Sequence, residues 1–181
     1  MPDTLEDRRI LIVASDGFEH SELFEPLDQL RELGATVEIA SPEGGVIKSW
    51  LDGDWGDEIE SDLSIGEADS ADYDALILPG GVINPDKLRT DNDALDLIRS
   101  FYGAEKPIAA ICHAPWLLIE AGLAEGVTMT GYDSILTDLR NAGANVVDRA
   151  VAQDQGLITS RSPQDLDDFV EAIADALGVE Y

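Results

Sequence analysis

The chain contains a single cysteine, Cys112, which stands where one sequence pattern gives way to another. Residues 107–111 are apolar and predict a buried β-strand, whereas the residues from His113 onward have helical spacing. A cysteine at such a junction meets unpaired backbone N–H groups and the positive end of a helix dipole, which favour the thiolate. The sequence therefore predicts a nucleophile elbow with a lowered pKa at Cys112. The alternative is a cysteine that only fills space, because free cysteines are among the most buried residues.

Two other segments predict functional groups at the same edge of a sheet. Gly80 and Gly81 follow an apolar strand pattern, and Glu19 lies between the first strand pattern and the first helix pattern. Ligands bind at the carboxyl ends of the strands in open α/β sheets. We therefore expect the glycines, with the N–H of His113, to hold an oxyanion, and Glu19 to hydrogen-bond the sulfur of Cys112. Taken singly, the glycines are equally typical of a turn, and Glu19 of a helix N-terminus.

His113 is the neighbour of Cys112, but adjacency alone does not make it a catalytic base. Residues one apart on a helix do not face each other, and a catalytic histidine needs a third group to orient it. Asp86 has the chemistry of such a group, and Tyr132 could donate a hydrogen bond in the site. Asp86 is equally typical of a helix N-terminus, and Tyr132 of a core, so both alternatives stay open.

The elements that would position these residues alternate strands with helices. Strands are expected at residues 9–14, 36–40, 74–78, 107–111, 127–129, near 146 and at 157–158. Helices are expected at residues 21–33, 94–102, 113–121, 133–141 and 163–177. Residues 42–72 are interpreted as a hairpin or an irregular excursion near 46–50, followed by a polar connector. This order predicts one α/β domain, residues 1–181, with a mostly parallel sheet sandwiched by helices.

The composition excludes several classes of function. With 38 acidic and 11 basic residues the net charge is −27, which would repel nucleic acid and anionic membranes. No apolar run approaches the roughly 20 residues of a membrane span, and no signal-peptide pattern is present, so a cytoplasmic location is expected. One cysteine and two histidines make neither a disulfide framework nor a convincing zinc cluster, so no metal or cofactor is expected. We interpret the charge as adaptation to a high-salt cytoplasm rather than as a sign of disorder.

Four segments together resemble the PfpI family of intracellular cysteine proteases. They are residues 14–19 after the first strand, residues 78–81 with the two glycines, residues 110–115 around the cysteine and residues 159–163 at the last strand-to-helix junction. The superfamily of PfpI also holds the Parkinson-associated deglycase and lies close to the class I glutamine amidotransferases. The resemblance therefore implies a flavodoxin-like, class I glutamine amidotransferase-like sheet.

The resemblance also implies a role for each candidate residue. Cys112 would be the nucleophile, Glu19 the carboxylic acid bonded to its sulfur, and His113 the base of the protease-like branch. Asp86 resembles the acid that reaches this histidine from a neighbouring subunit, and Tyr132 resembles a site tyrosine. A homodimer or a larger homo-oligomer such as a hexamer is implied as well.

Three functions follow from the resemblance and from the cysteine chemistry. The first is an enzyme acting on reactive carbonyls such as methylglyoxal or on their adducts on proteins, as a glyoxalase III-like enzyme or a deglycase. The second is a peptidase that uses Cys112 and His113 with an acid in trans. The third is a redox sensor or stress chaperone with an oxidisable Cys112. Glutamine amidotransferase chemistry is excluded because no histidine follows His113 to form the required downstream pair.

Overall fold

The computed structural model describes residues 4–179 of the 181-residue chain. Its strands are β1 (Arg9–Val13), β2 (Phe18–Glu19), β3 (Thr36–Ser41), β4 (Val46–Leu51), β5 (Asp54–Glu60), β6 (Leu63–Ser64), β7 (Ala75–Leu78), β8 (Ile108–Ile111), β9 (Thr128–Met129), β10 (Asn145–Val146), β11 (Ala152–Asp154) and β12 (Leu157–Ser160). Its helices are α1 (His20–Glu32), α2 (Ile83–Leu88), α3 (Asn92–Gly103), α4 (Pro115–Glu120), α5 (Leu136–Asn141) and α6 (Leu166–Ala176). Within these described residues, no helix has both the length and the apolar character needed to cross a bilayer.

Seven strands form the central sheet, in the order β11-β12-β8-β7-β1-β3-β6. Every neighbouring pair in it runs parallel except β11 and β12, which pair antiparallel at one edge. A smaller sheet combines β2 with the antiparallel hairpin β4–β5, and β9 and β10 form a parallel pair. The mostly parallel α/β architecture expected from the sequence is therefore confirmed.

Both faces of the central sheet are buried, as β1 illustrates. Ile10 and Ile12 pack in the apolar cluster that includes residues of α1 and α6, whereas Leu11 and Val13 pack in the opposite cluster with residues of α3, α4 and α5. All four side chains are at most 1% exposed. A strand buried on both faces needs apolar residues at every buried position, which is why β7, β8 and the part of β1 after Arg9 appear in the sequence as unbroken apolar runs.

Three helices begin two or three residues later than their sequence patterns indicate. The chain makes a turn before α4 begins at Pro115, and short 3-10 helices precede α5 and α6. The hairpin expected near residues 46–50 is present as β4 and β5. No bounds were predicted for helix α2, although a helix N-terminus was one interpretation of Asp86. The helix contains Pro85 in its first turn, where a proline removes no backbone hydrogen bond.

The acidic composition predicts that this fold is stabilised by salt. Basic residues are outnumbered by acidic ones more than three to one, 11 against 38, so most carboxylates have no cation to offset their repulsion. In 1 M salt the screening length falls to about 3 Å. For a chain of this size each kcal/mol regained raises Tm by about 2–4 °C. We expect a clear rise in Tm, measured by calorimetry, between 0.1 M and 2 M potassium chloride.

The control for this salt effect is sucrose at matched osmolality, which does not screen charge. Sucrose is expected to give a smaller rise in Tm than potassium chloride. Equal rises in the two solutes, or a fall in Tm with potassium chloride, would contradict the role assigned to charge repulsion.

Candidate active site

Cys112 follows β8 directly and has a left-handed backbone conformation, with φ at +64°. Side chains other than glycine rarely adopt this region, and such a residue costs of order 1–3 kcal/mol. Neighbouring segments hold it there: the Cys112 N–H donates to the carbonyl of Ser160 at 3.0 Å, and the Cys112 carbonyl accepts from the N–H of Tyr132 at 2.8 Å. The sulfur therefore sits on the nucleophile elbow that the sequence predicts.

Gly80 lets the ends of β7 and β8 approach each other. A Cβ atom on Gly80 would lie 2.6 Å from Glu22 Oε1 and 2.6 Å from the carbonyl oxygen of Ile111, which is too close for any side chain. The N–H of Gly80 donates to Glu22 Oε1 at 3.0 Å. Gly80 is therefore a packing position and not the oxyanion donor expected from the sequence, because its N–H is already engaged.

Glu22 is the carboxyl group that contacts the Cys112 thiol. Its side chain has no exposure to solvent, and burial is the main reason that its pKa rises to about 8, with the charge of Glu19 adding to the effect. Its second oxygen, Oε2, meets no geometrically good hydrogen-bond partner among the described residues. Glu22 is therefore a neutral carboxylic acid near pH 7.

The structure corrects the expectation that Glu19 bonds the sulfur. Glu19 is the N-cap residue of α1, and its carboxyl group lies at the wall of the cavity above Cys112. Burial and the charge of Asp52 raise its pKa, and it affects Cys112 through charge alone. The reason is helical geometry: α1 begins at His20, so Glu22 in its first turn faces the sheet while the N-cap side chain stays at the surface.

The pKa of the Cys112 thiol is raised, not lowered as the sequence suggests. Burial is the largest cause and the neighbouring Glu22 the second, while hydrogen bonds from the N–H groups of Gly81 and His113 oppose them. The helix that should have stabilised a thiolate, α4, begins only at Pro115 and has six residues, so its dipole is weak. The resting sulfur is a thiol, and a base must remove its proton during reaction.

His113 is placed to be that base. Its Nδ1 lies 3.2 Å from the sulfur of Cys112, and its Nε2 lies 3.1 Å from Oγ of Ser134. The ring is stacked on Tyr132, with 4.6 Å between ring centroids. Burial lowers the pKa of His113, which keeps the imidazole neutral. The two neighbouring side chains meet because Cys112 is left-handed and not part of a helix, so the spacing rule for helices does not apply.

Asp86 does not join this group within one chain. It is exposed on α2, and none of the hydrogen bonds or ion pairs among residues 4–179 links it to His113. Tyr132, in contrast, is in the site as a wall of the cavity and is 41% exposed. Ser134 occupies the place that the sequence interpretation reserved for an acid, and it was not among the candidates.

A cavity of about 620 Å³ opens above the sulfur. This volume suits a small molecule or a single protein side chain. The cavity combines residues of the strand ends, of the hairpin and of the loops after β9 and β12. They are Gly17, Glu19, Trp50, Gly81, Val82, Ile83, Cys112, His113, Tyr132, Ser134 and Pro163. In the part of the chain that the structure describes, no group of three or more His, Cys, Asp or Glu side chains could hold a metal ion.

The fold and the site together define an α/β protein with a cysteine on a nucleophile elbow, a buried carboxylic acid under the sulfur and a histidine beside it. Residues 8–176 match the DJ-1/PfpI family, and the chain belongs to that family. General stress protein 18 of Bacillus subtilis is 41% identical over 164 residues, which cover 90% of this chain and 93% of that protein. Deglycase PfpI of Pyrococcus furiosus is 39% identical over 158 residues, covering 87% and 92%. YraA of Bacillus subtilis, whose name proposes a cysteine protease, is 38% identical over 162 residues, covering 90% and 94%.

Solved structures show the same fold. A two-domain protein of Anabaena variabilis with a DJ-1/ThiJ/PfpI-like and a ferritin-like domain superposes with a TM-score of 0.90 at 32% identity. The match covers 95% of this chain and 48% of that one, so this chain corresponds to about half of the two-domain protein. DJ-1beta of Drosophila melanogaster superposes with a TM-score of 0.82 at 30% identity, covering 96% of this chain and 99% of that one.

Proposed function

We propose that the protein is a cysteine-dependent enzyme acting on reactive carbonyls, as a glyoxalase III-like enzyme or a protein deglycase. The observation that carries this proposal is the arrangement below the cavity. A neutral base, Nδ1 of His113, lies 3.2 Å from the sulfur of Cys112, and the Glu22 carboxylic acid contacts the same sulfur. The family includes proteins named deglycases, one of them 39% identical to this chain.

The reaction would begin with addition of the Cys112 sulfur to the aldehyde carbon of methylglyoxal. The thiol proton passes to Nδ1 of His113 as the carbon–sulfur bond forms, and the N–H groups of Gly81 and His113, which bond the resting sulfur, would shift to the developing oxyanion beside it. The product is a hemithioacetal. A proton shift from C1 to C2 converts it to the thioester of lactate, and water cleaves the thioester to lactate and the free thiol. One water is added overall, so no oxidant or reductant is needed.

An adduct of methylglyoxal on a protein amine would follow the same course, with the amine released as the sulfur takes its place. The leaving amine takes the proton that His113 received from the thiol, so release from an adduct, unlike addition to free methylglyoxal, needs His113 as an acid. The cavity of about 620 Å³ has room for such a modified side chain. The net charge of −27 supports a small molecule or a protein as substrate, because it disfavours polyanions.

Peptide hydrolysis is the second candidate, and the contact between Cys112 and His113 favours it. Cleavage of an amide requires a protonated His113 to donate to the leaving amine. Burial lowers the pKa of His113, and among residues 4–179 only the Ser134 hydroxyl hydrogen-bonds its Nε2. A peptidase would therefore need the Asp86 of a second copy in a homodimer or a larger homo-oligomer. Addition to an aldehyde has no leaving group to protonate, so it fits this site better.

The deciding experiment is incubation of the purified protein with methylglyoxal in about 2 M potassium chloride, a salt that screens its charge. We expect lactate to form in many molar equivalents over enzyme, measured by chromatography. Cleavage of a fluorogenic peptide library tests for peptidase activity. Mass spectrometry of peroxide-treated protein tests for the oxidation of Cys112 expected of a redox sensor. Folded protein that forms no lactate from methylglyoxal and releases none from methylglyoxal-treated peptides would contradict the proposal. Peptide cleavage would then indicate a peptidase, and oxidation of Cys112 without turnover a redox sensor.

A further inference from the structure

We propose that Ser134 is the positioning residue for His113: its Oγ accepts the Nε2–H of the imidazole and so leaves Nδ1 unprotonated, facing the Cys112 thiol. This inference rests on the proposed function, in which that thiol gives up its proton during addition to a carbonyl. It assigns to a serine of the same chain the orienting role that an acid from a second copy would otherwise have.

Counting protons around the sulfur leads to this tautomer. The thiol has one proton to donate, while the sulfur accepts hydrogen bonds from the N–H groups of Gly81 and His113 and contacts the Glu22 carboxyl. Nδ1 of His113, 3.2 Å away, is the acceptor for the thiol proton. A neutral imidazole carries one proton, so Nε2 must then be the donor, and Oγ of Ser134 lies 3.1 Å from it.

The opposite tautomer places no base beside the thiol. With the proton on Nδ1, the imidazole would donate to the sulfur across 3.2 Å, and the thiol proton would turn to the Glu22 carboxyl. Nε2 would then accept from the Ser134 hydroxyl. Only the first arrangement leaves Nδ1 unprotonated and facing the thiol, ready for proton transfer.

One short segment fixes Ser134 relative to the elbow. Tyr132 is tied to Cys112 by the bond from its N–H to the Cys112 carbonyl, and its ring stacks on His113. Tyr132 is also the N-cap of the 3-10 helix Asp133–Ile135, which carries Ser134. Gly131 also packs against the Cys112 carbonyl, because a Cβ atom on Gly131 would lie 3.3 Å from the carbonyl oxygen of Cys112. The same short segment therefore places both the Tyr132 ring and the Ser134 hydroxyl against His113.

A hydroxyl group orients the imidazole but does not stabilise the positive charge of a protonated imidazole. A carboxylate would do both. Among the described residues, no carboxylate hydrogen-bonds either nitrogen of His113. The titratable groups around the ring are Cys112 and Glu22 below it, Glu19 across the cavity and Tyr132 on its face. A neutral base of this kind suits addition to an aldehyde, in which no leaving group needs a proton.

The test combines three substitutions of Ser134 with two readouts. The first readout is the 15N chemical shift of the His113 ring nitrogens, which reports the tautomer whether or not the protein turns over any substrate. We expect a single Nε2–H form in the wild type and a mixture of tautomers in Ser134→Ala. The second readout is turnover of methylglyoxal: Ser134→Ala should lower kcat about 10- to 100-fold with KM almost unchanged, because only proton transfer is affected.

The other two variants distinguish a role of Ser134 in orienting His113 from a merely structural role. Ser134→Thr keeps the hydroxyl and is expected to restore both the tautomer and most of kcat. Ser134→Asp places a carboxylate at Nε2, which favours the imidazolium, so the acid limb of the kcat/KM profile should move to higher pH. Ser100→Ala, an exposed serine on α3, is the matched control and should behave as wild type.

An unchanged tautomer and an unchanged kcat in Ser134→Ala would overturn the inference. So would an equal loss of kcat in Asp86→Asn with none in Ser134→Ala, which would assign the orienting role to a second copy. If the wild type forms no lactate, the proposed function fails, but the 15N measurement still decides whether Ser134 sets the tautomer.

Discussion

Replacing Cys112 by alanine is expected to reduce lactate formation from methylglyoxal to the background rate. The chain has no other cysteine, so no second thiol can form the hemithioacetal. Loss of a covalent nucleophile commonly lowers kcat/KM by about 10³-fold or more. The measurement is the initial rate of lactate formation in about 2 M potassium chloride, where screening relieves the repulsion of the acidic surface.

The Cys112→Ser variant separates the chemistry of sulfur from the presence of a polar atom. Serine keeps a hydrogen-bonding group beside His113, but a hydroxyl is a far weaker nucleophile, so activity should again be almost absent. Both variants keep a left-handed L-residue at the elbow, and we expect their Tm to stay near that of the wild type. If Cys112→Ala retained a tenth of the wild-type rate while folded, the sulfur would not be the nucleophile.

Much of the fold could be predicted from the sequence because the central strands are buried on both faces. β1, β7 and β8 are apolar at nearly every position, and such short apolar runs between helical patterns are typical of buried strands. β2 and β6 have two residues each and form only because a neighbouring strand already presents partners. A pattern of two residues carries no periodicity, so no sequence argument could have placed them.

The identity of the carboxylic acid that contacts the sulfur, Glu22, was not predicted from the sequence. Glu19 and Glu22 both lie near the start of α1, and only the position of the first helical turn decides which of them faces the sheet. A signal was nevertheless present: Glu22 shares the apolar face of the helix with Pro26 and Leu30, which are four and eight residues further on. A carboxylate on a buried face is unusual and indicates a function.

The pKa of Cys112 and the role of Ser134 could not be read from the sequence for physical reasons. The helix dipole and burial act on a thiol in opposite directions, and their balance depends on a desolvation that only the packed structure gives. Ser134 is an exposed serine in a short 3-10 helix, and serine is common in such turn-like segments for local reasons. Its relation to His113 arises from the bond between Tyr132 and the elbow, which is a tertiary contact.

Replacing Glu22 by glutamine is expected to reduce the fall in stability that occurs between about pH 4.5 and pH 8. In the folded protein the pKa of Glu22 rises from the usual 4.5 to about 8, so the folded state holds the proton more tightly than the unfolded state. This stabilisation is complete below about pH 4.5 and is lost as the pH rises through about 8. Glutamine has a similar shape and no charge. Tm measured from pH 5 to pH 9 should therefore fall less in Glu22→Gln than in the wild type.

The same substitution should lower activity and change its pH profile. Glutamine can donate an N–H to the sulfur but cannot carry a proton, and Glu22, which contacts the sulfur, is placed to move the proton from C1 to C2 of the hemithioacetal. Loss of a positioned acid or base costs about 10²-fold or more in rate. In the wild type, ionisation of Glu22 near pH 8 places a carboxylate beside the reacting sulfur, so activity should decline above that pH. The decline reports the titration of the Glu22–Cys112 pair as a unit. The Gln variant should lack it.

Two further glutamine variants on the same segment make the assignment of Glu22 decisive. Glu25→Gln, at an exposed position of α1, should match the wild type in rate and in pH profile. Glu19→Gln removes a negative charge that raises the pKa of Glu22, so its alkaline decline should move to lower pH while the rate at pH 7 falls far less than in Glu22→Gln. A loss in Glu19→Gln as large as that in Glu22→Gln would mean that Glu19 serves the sulfur directly. A profile of Glu22→Gln that still declines near pH 8 would mean that another group titrates there.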